Sequence, residues 1–152
     1  MGLLETKIFF DEGKTFELRN IRTLKGITGL YFIYNTDIKI QYPFQHSRLI
    51  YIGMSEKRTN SIGSRLQGHF EGKSGNEGIK SYMEVNRINF TYINFEMLKS
   101  VWPLSIESLE SYFILDFVKR YGVYPICNNK SGYDILNAYI KNNLLIDWKY
   151  FE

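Results

Sequence analysis

Apolar and polar positions change period several times along the chain, and each change marks an element. Lys7-Ile8-Phe9-Phe10 and Thr15-Phe16-Glu17-Leu18 flank the polar turn Asp11-Glu12-Gly13-Lys14, which predicts an N-terminal β-hairpin. Gly29-Leu30-Tyr31-Phe32-Ile33-Tyr34 is rich in aromatic and β-branched residues and predicts a strand. A polar stretch from Asn35 to Ser47, holding Pro43, separates it from Leu49-Ile50-Tyr51-Ile52, a second strand closed by Gly53. These two strands are expected to pair through the long loop. Asn60 or Ser61 then caps a short helix in which Ile62, Leu66 and Phe70 recur every four residues. Gly63 and Gly68 weaken this helix, so packing or function must keep them there. Residues 71–78 are polar and glycine-rich, Ile79–Val85 fits a short helix, and Ile88–Leu98 alternates loosely as a third strand. The strongest helix runs from Ser105 to Tyr121, after Pro103 and before Gly122 and Pro125. A last helix is expected from Tyr133 to Asn143.

The expected fold is therefore α+β: a small antiparallel three-stranded central sheet flanked by helices, with the N-terminal hairpin as an extension. No composition break marks a linker, so residues 1–152 read as one domain. Within it, residues 1–25 form the hairpin extension, 26–130 the core, and 131–152 a C-terminal helix and tail.

Periodicity also locates chemistry. Along the helix at 105–121, Ile106, Phe113, Ile114, Phe117 and Tyr121 share one arc, and Glu110 falls in its middle. A carboxylate placed there is desolvated unless it meets a cation, a hydrogen-bond donor or a metal ion; a structural ion pair with a buried Arg serves as well as a functional role. Glu107 lies at the edge of the arc, within reach of water. Arg65 and His69, four residues apart, are neighbours on one face of the short helix and border its apolar stripe. They suit the rim of a cleft, or simply a solvated helix boundary. Side chains alternate along a strand, so Tyr31 and Ile33 share one face while Leu30, Phe32 and Tyr34 share the other. Tyr51 is expected to share its face with Leu49 and Gly53. In-register pairing would turn Tyr31 and Tyr51 toward the helix of Arg65, and Gly53 would leave room for a phosphate beside Tyr51.

Composition narrows the class. The chain has 152 residues, 44% apolar and 16% aromatic, which fits a globular domain and argues against disorder. No apolar run reaches the ~20 residues of a membrane span, and Glu5 with no long apolar run behind it is unlike a secretory signal. Cys127 stands alone, which excludes an intrachain disulfide and a cysteine zinc finger and suits a reducing, cytoplasmic setting. It reads as a buried inert thiol. His46 and His69 lie on different elements, which disfavours a histidine-rich metal site. Neither a phosphate-cradling Gly-x-x-x-x-Gly-Lys-Ser/Thr loop nor a Gly-x-Ser-x-Gly elbow is present. The net charge of +3 favours an acidic partner only weakly.

Gly29-Leu30-Tyr31 followed by Tyr51-Ile52-Gly53 resembles the GIY-YIG nuclease signature, with Leu for Ile in the first triplet. Single triplets are weak motifs, but the ordered set is stronger. Ser55 matches a hydroxyl residue two places after the second triplet. Arg65-Leu66-Gln67-Gly68-His69 matches an Arg-x-x-x-His on a helix, Leu109-Glu110 a Leu-Glu pair before an apolar turn, and Pro125-Ile126-Cys127-Asn128 the closing Pro-x-x-Asn. The resemblance spans residues 29–128. The 35–47 and 71–102 stretches are longer than the family usually shows and read as insertions, the places where small folds acquire partner contacts.

The resemblance implies phosphodiester hydrolysis assisted by one divalent ion, Mg²⁺ or Mn²⁺. It implies Glu110 as metal ligand, Arg65 as the group that neutralises charge on the phosphate, and Tyr31, with Tyr51 beside it, as the base that activates water. His69 would take the proton from Tyr31 or contact the phosphate, and Asn128 would orient Glu110 or a phosphate oxygen. Lys57 and Arg58, with Gly53 and Ser55, would hold backbone phosphates of double-stranded DNA; a solvated loop explains Lys57 and Arg58 nearly as well. A compact chain that is mostly catalytic core resembles a small restriction-type endonuclease, cutting both strands as a homodimer or higher homo-oligomer, or by sequential nicking. A standalone phage or mobile-element nicking nuclease, a non-catalytic nucleic-acid-binding module of the same fold, and a ribonuclease are the alternatives.

Overall fold

The computed structural model describes residues 5–129 and 144–152. Its central strand is β3 (Gly29–Asn35), every residue of which is buried. The elements before it are β1 (Thr6–Ile8), β2 (Lys14–Thr15) and α1 (Leu18–Arg22). After it come β4 (Ile40–Gln41), β5 (His46–Ser47), β6 (Leu49–Ser55), α2 (Ile62–Phe70), α3 (Glu77–Val85), β7 (Ile88–Asn94), α4 (Ile106–Tyr121) and β8 (Leu144–Ile146). Short 3₁₀ turns occupy Phe95–Leu98 and Trp148–Phe151.

The class is α+β, but the central sheet has four strands, in the order β2-β7-β3-β6, rather than three. β3 runs antiparallel to both β6 and β7, so the two triplets lie side by side as expected. The N-terminal hairpin does not form. Instead β1 pairs in parallel with β8, and β2 adds to the edge of β7. Long-range aromatic burial outweighs the local turn here: the Phe10 ring packs 4.8 Å from that of Phe32 and 4.7 Å from that of Phe151. Gly13 in the turn is pressed against Tyr34, and its N–H donates to the Tyr150 hydroxyl at 2.8 Å. The third strand also stops short of Leu98. Asn94 accepts a hydrogen bond from the Glu96 N–H and opens the 3₁₀ turn at Phe95. The long 35–47 stretch folds back on itself through β4 and β5. The helix expected over 133–143 lies outside the described residues. No helix among the described residues is long and apolar enough to cross a membrane.

The sheet separates two apolar layers. On one side Leu30, Phe32 and Tyr34 meet Leu109, Phe113, Ile114 and Phe117 of α4 together with Trp148 and Phe151. On the other, Tyr31 and Ile33 meet Ile21 of α1, Ile62 and Leu66 of α2, and Ile79 of α3. The alternation read for β3 therefore holds. The one read for β6 needs a correction: Ile33 pairs with Tyr51 but Tyr34 with Leu49, leaving Ile50 as an extra residue. That bulge turns Leu49 to the α4 side while Tyr51 stays on the side of Tyr31.

Ser61, Asn76 and Ser105 cap α2, α3 and α4 by accepting from Ser64, Ile79 and Ser108 N–H groups. Gly63 is where α1 and α2 cross, since a Cβ there would lie 2.6 Å from the Lys25 nitrogen. Gly68 faces open space, and nothing in the structure explains it.

Candidate active site

Tyr31 on β3 stands directly opposite Gly53 on β6. A Cβ on Gly53 would fall 2.3 Å from Cζ of Tyr31, so the missing side chain seats the phenol ring. The room that the sequence reading reserved for a phosphate is taken by Tyr31 itself. Two residues earlier on β6, Tyr51 lies with its ring centroid 6.0 Å from that of Tyr31 and 5.2 Å from that of His69. The Tyr31 hydroxyl and His69 Nε2 are hydrogen-bonded at 3.0 Å, and His69 Nδ1 meets Ser74 Oγ at 2.7 Å. Thus β3, β6 and one turn of α2 bring two phenols and an imidazole together. Tyr31 is 1% exposed and His69 6%, whereas Tyr51 is partly open.

Two charges act on this cluster. Arg65, one turn before His69, is half-buried, and its Nε makes no hydrogen bond to any described residue. Glu110, only 6% exposed on α4, is near enough to act on both phenols. Burial is the main reason that Tyr31 holds its proton well above the ordinary phenol range; the adjoining Tyr51 and the Glu110 charge add to the rise, and Arg65 opposes it. Tyr51 is raised by burial and then by Glu110, with Tyr31 and Arg65 opposing. His69 is lowered to about 4, by burial first and by Arg65 second, so at neutral pH the cluster holds uncharged phenols and an uncharged imidazole.

The other residues singled out in the sequence are distributed around this group. Both polar atoms of the Asn128 amide bond the backbone of Ile52: the Ile52 N–H donates to Oδ1 at 3.0 Å and Nδ2 donates to the Ile52 carbonyl at 2.9 Å. Asn128 thereby closes the outer edge of β6 beside Tyr51 and Gly53, a backbone role in place of the expected contact with Glu110 or phosphate. Ser55 is fully buried, and its hydroxyl points at the carbonyls of Asn60 (2.5 Å) and Lys57 (3.3 Å). It pins the turn after β6 and does not face solvent, so a phosphate contact is not its part. Lys57 and Arg58 project from that turn, exposed and without an ion pair among the described residues. Arg22 and Lys25, exposed on α1 and the turn after it, lie where α1 packs on the start of α2; no motif in the sequence points to them. The first N–H groups of α2 are taken by Ile27 O, Leu24 O and Ser61 Oγ, which closes that helix end to an anion. His46 sits apart on β5. Cys127 is buried beside Gly78, and burial pushes its thiol up to about 12, as suits an inert residue.

No group of three His, Cys, Asp or Glu side chains that would cage a metal occurs among the described residues. What the site offers is one buried carboxylate, Glu110, whose charge reaches both phenols. That donor set fits Mg²⁺ or Mn²⁺, which keep several waters and take one or two carboxylates with substrate phosphate oxygens; it does not fit Zn²⁺. No protein-family model, no curated protein and no solved structure matches the chain.

Proposed function

We propose that the chain is a divalent-metal-dependent DNA endonuclease of the GIY-YIG type that hydrolyses phosphodiester bonds. The observation that carries this reading is the meeting of Tyr31, Tyr51 and His69, under the charges of Arg65 and Glu110, from four separate stretches of the chain. A buried carboxylate and a half-buried guanidinium whose charges act on two phenols suit a site that handles a phosphate and a hydroxide.

The resemblance suggests the roles, and the positions of the residues support them. Glu110 would hold a Mg²⁺ or Mn²⁺ ion, which supplies, when bound, Lewis-acid polarisation of the phosphate and charge relief at the departing 3′ oxygen. Arg65 offers forked donors to the non-bridging oxygens and neutralises the charge that builds there. Tyr31 accepts a proton from the attacking water as its own proton passes to His69 Nε2, 3.0 Å away. Burial works against that step, and Arg65 partly offsets it. Tyr51 lies beside Tyr31, its ring centroid 6.0 Å away, and is the more open of the two. Asn128 and Gly53 act on geometry, the first by holding β6 and the second by seating the Tyr31 ring. Lys57 and Arg58 lie beyond the end of β6, placed to hold backbone phosphates on either side of the scissile one.

A single site cuts one strand, so double-strand cleavage by a restriction-type enzyme would use a homodimer or larger assembly, or sequential nicking. Incubating supercoiled plasmid with the protein, with and without Mg²⁺, tests the reading, and a structured RNA run in parallel separates deoxyribonuclease from ribonuclease. Conversion of plasmid to nicked or linear form only with the metal supports it. Binding of DNA with no cleavage under Mg²⁺ or Mn²⁺ would instead identify a non-catalytic binding module.

A further inference from the structure

Tyr31 and His69 are both buried, yet the hydrogen bonds through them end at the surface. Ser74, the last member, is exposed. It lies in the turn after α2, where Gly72 and Gly75 adopt positive φ of 71° and 80°. Those left-handed residues on either side, with the Lys73 N–H bonded to the Gly68 carbonyl at 2.8 Å, fold the chain back over the end of α2. The fold-back brings Ser74 Oγ to 2.7 Å from His69 Nδ1. The backbone N–H of Asn76 donates to the same oxygen at 3.3 Å.

A hydroxyl has one proton and accepts twice. If Ser74 Oγ accepts from both His69 Nδ1–H and Asn76 N–H, its own proton faces solvent. Nε2 is then bare and accepts from the Tyr31 hydroxyl, which is a protonated phenol. In this arrangement every donor in the chain has an acceptor. In the reverse one, Nε2–H would donate to Tyr31, the phenol proton would turn to the adjoining Tyr51 hydroxyl, and Ser74 would give its only proton to Nδ1, so that only the first arrangement aims the Tyr31 proton along the hydrogen bonds that end at solvent.

We propose that Ser74 holds His69 as the Nδ1–H tautomer, so that Tyr31, His69 and Ser74 form one path for a proton from the buried phenol to solvent. The proposal rests on the nuclease reading for its purpose but not for its geometry. The step balances: the Tyr31 proton moves to Nε2, the Nδ1 proton to Ser74 Oγ, and the Ser74 hydroxyl proton to water. The relay ends with Nε2–H donating to the phenolate, the hydrogen bond that stabilises that charge. Because burial and Arg65 disfavour an imidazolium, the proton passes through His69 and does not stay on it. Ser74 acts through His69 and is a positioning residue.

The test is the ring nitrogens of His69 in uniformly ¹⁵N-labelled protein, read by long-range ¹H–¹⁵N correlation at neutral pH, for wild type, Ser74→Ala and Ser74→Thr. The expected result is the Nδ1–H tautomer in wild type and in Ser74→Thr, and a shift toward Nε2–H in Ser74→Ala. Wild type in the Nε2–H form, or no change in Ser74→Ala, overturns the proposal. Cleavage of plasmid provides the second readout. Ser74→Ala should lose at least about ten-fold in kcat with KM unchanged, and Ser74→Thr should recover most of it. Equal kcat in wild type and Ser74→Ala overturns the relay even if the tautomer shifts. A wild-type protein that does not cut removes the nuclease reading, while the nitrogen spectra still decide the placement of the proton. Ser74 is exposed, so the Ala variant is expected to keep the fold, and an unchanged melting curve verifies that.

Discussion

Tyr31 combines two demands that usually conflict, a protonated phenol in a dry site and a hydrogen bond that lets the proton leave. Tyr31→Phe removes only the oxygen, keeps the ring over Gly53, and leaves His69 Nε2 without its partner at 3.0 Å. Cleavage should fall by about 100-fold or more, with DNA binding nearly intact and at most about 1–2 kcal/mol of stability lost. Tyr34→Phe is the control, since Tyr34 lies on the opposite layer and bonds Tyr150. Single-turnover cleavage and a denaturant melt of both variants check this. His69 makes a second expectation at the same scale. Its folded-state value, about 4, is depressed below the ordinary 6.5, so the unfolded chain binds the proton more readily. The stability contributed by the neutral imidazole is therefore fully present above pH ~6.5 and is lost as pH falls toward 4, by about 2 kcal/mol between pH 7 and pH 5. Urea melts at those two pH values should show the slope in wild type and a shallower one in His69→Gln.

At the scale of elements, the strands and helices that carry the signature were legible because each is set by its own pattern. Ser61 caps α2 where expected, α4 starts beside Ser105, and Gly122, at φ 92°, ends it. What was not legible depends on distant partners. The hairpin residues Lys7–Phe10 and Lys14–Thr15 find β8, β7 and the C-terminal aromatics, none of which a local window contains. The bulge at Ile50 has no sequence mark either, and it decides that Leu49 faces α4 while Tyr51 keeps the side of Tyr31. The candidate site divides in the same way. Tyr31, Tyr51, Arg65, His69 and Glu110 came from motif order and periodicity. The work of Gly53, Ser55 and Asn128 is backbone geometry, which spacing does not show. Asn128→Ala tests that reassignment. It leaves the Ile52 N–H and carbonyl buried without their partners at 3.0 and 2.9 Å, so stability should fall by about 2–4 kcal/mol. A thermal melt that does not move would return Asn128 to a direct role in chemistry.

The whole molecule carries a net charge of only +3, so any affinity for DNA must come from local placement of cations. Lys57 and Arg58 on the turn before α2, with Arg22 and Lys25 on the neighbouring α1 segment, are exposed and make no ion pair with a described residue. Binding should weaken with salt at a slope of roughly one per phosphate contacted. Replacing Lys57 and Arg58 together by Ala should reduce that slope by about two and weaken all sequences alike. An anisotropy titration over salt concentration measures it, and an unchanged slope would place the phosphates on another face.

The central claim is that Glu110 makes the cluster a metal-dependent catalyst. Cleavage of supercoiled plasmid under Mg²⁺ by wild type, Glu110→Gln and Glu107→Gln tests it most directly. Glu110 is buried near both phenols, whereas Glu107 is exposed in the first turn of α4. Loss of the metal-holding carboxylate should cost several kcal/mol of transition-state stabilisation, hence about a thousand-fold or more in rate, while the fold survives and Glu107→Gln keeps most of its activity. Near-normal Mg²⁺-dependent cleavage by Glu110→Gln, or no cleavage by the wild-type protein under Mg²⁺ or Mn²⁺, would contradict the account.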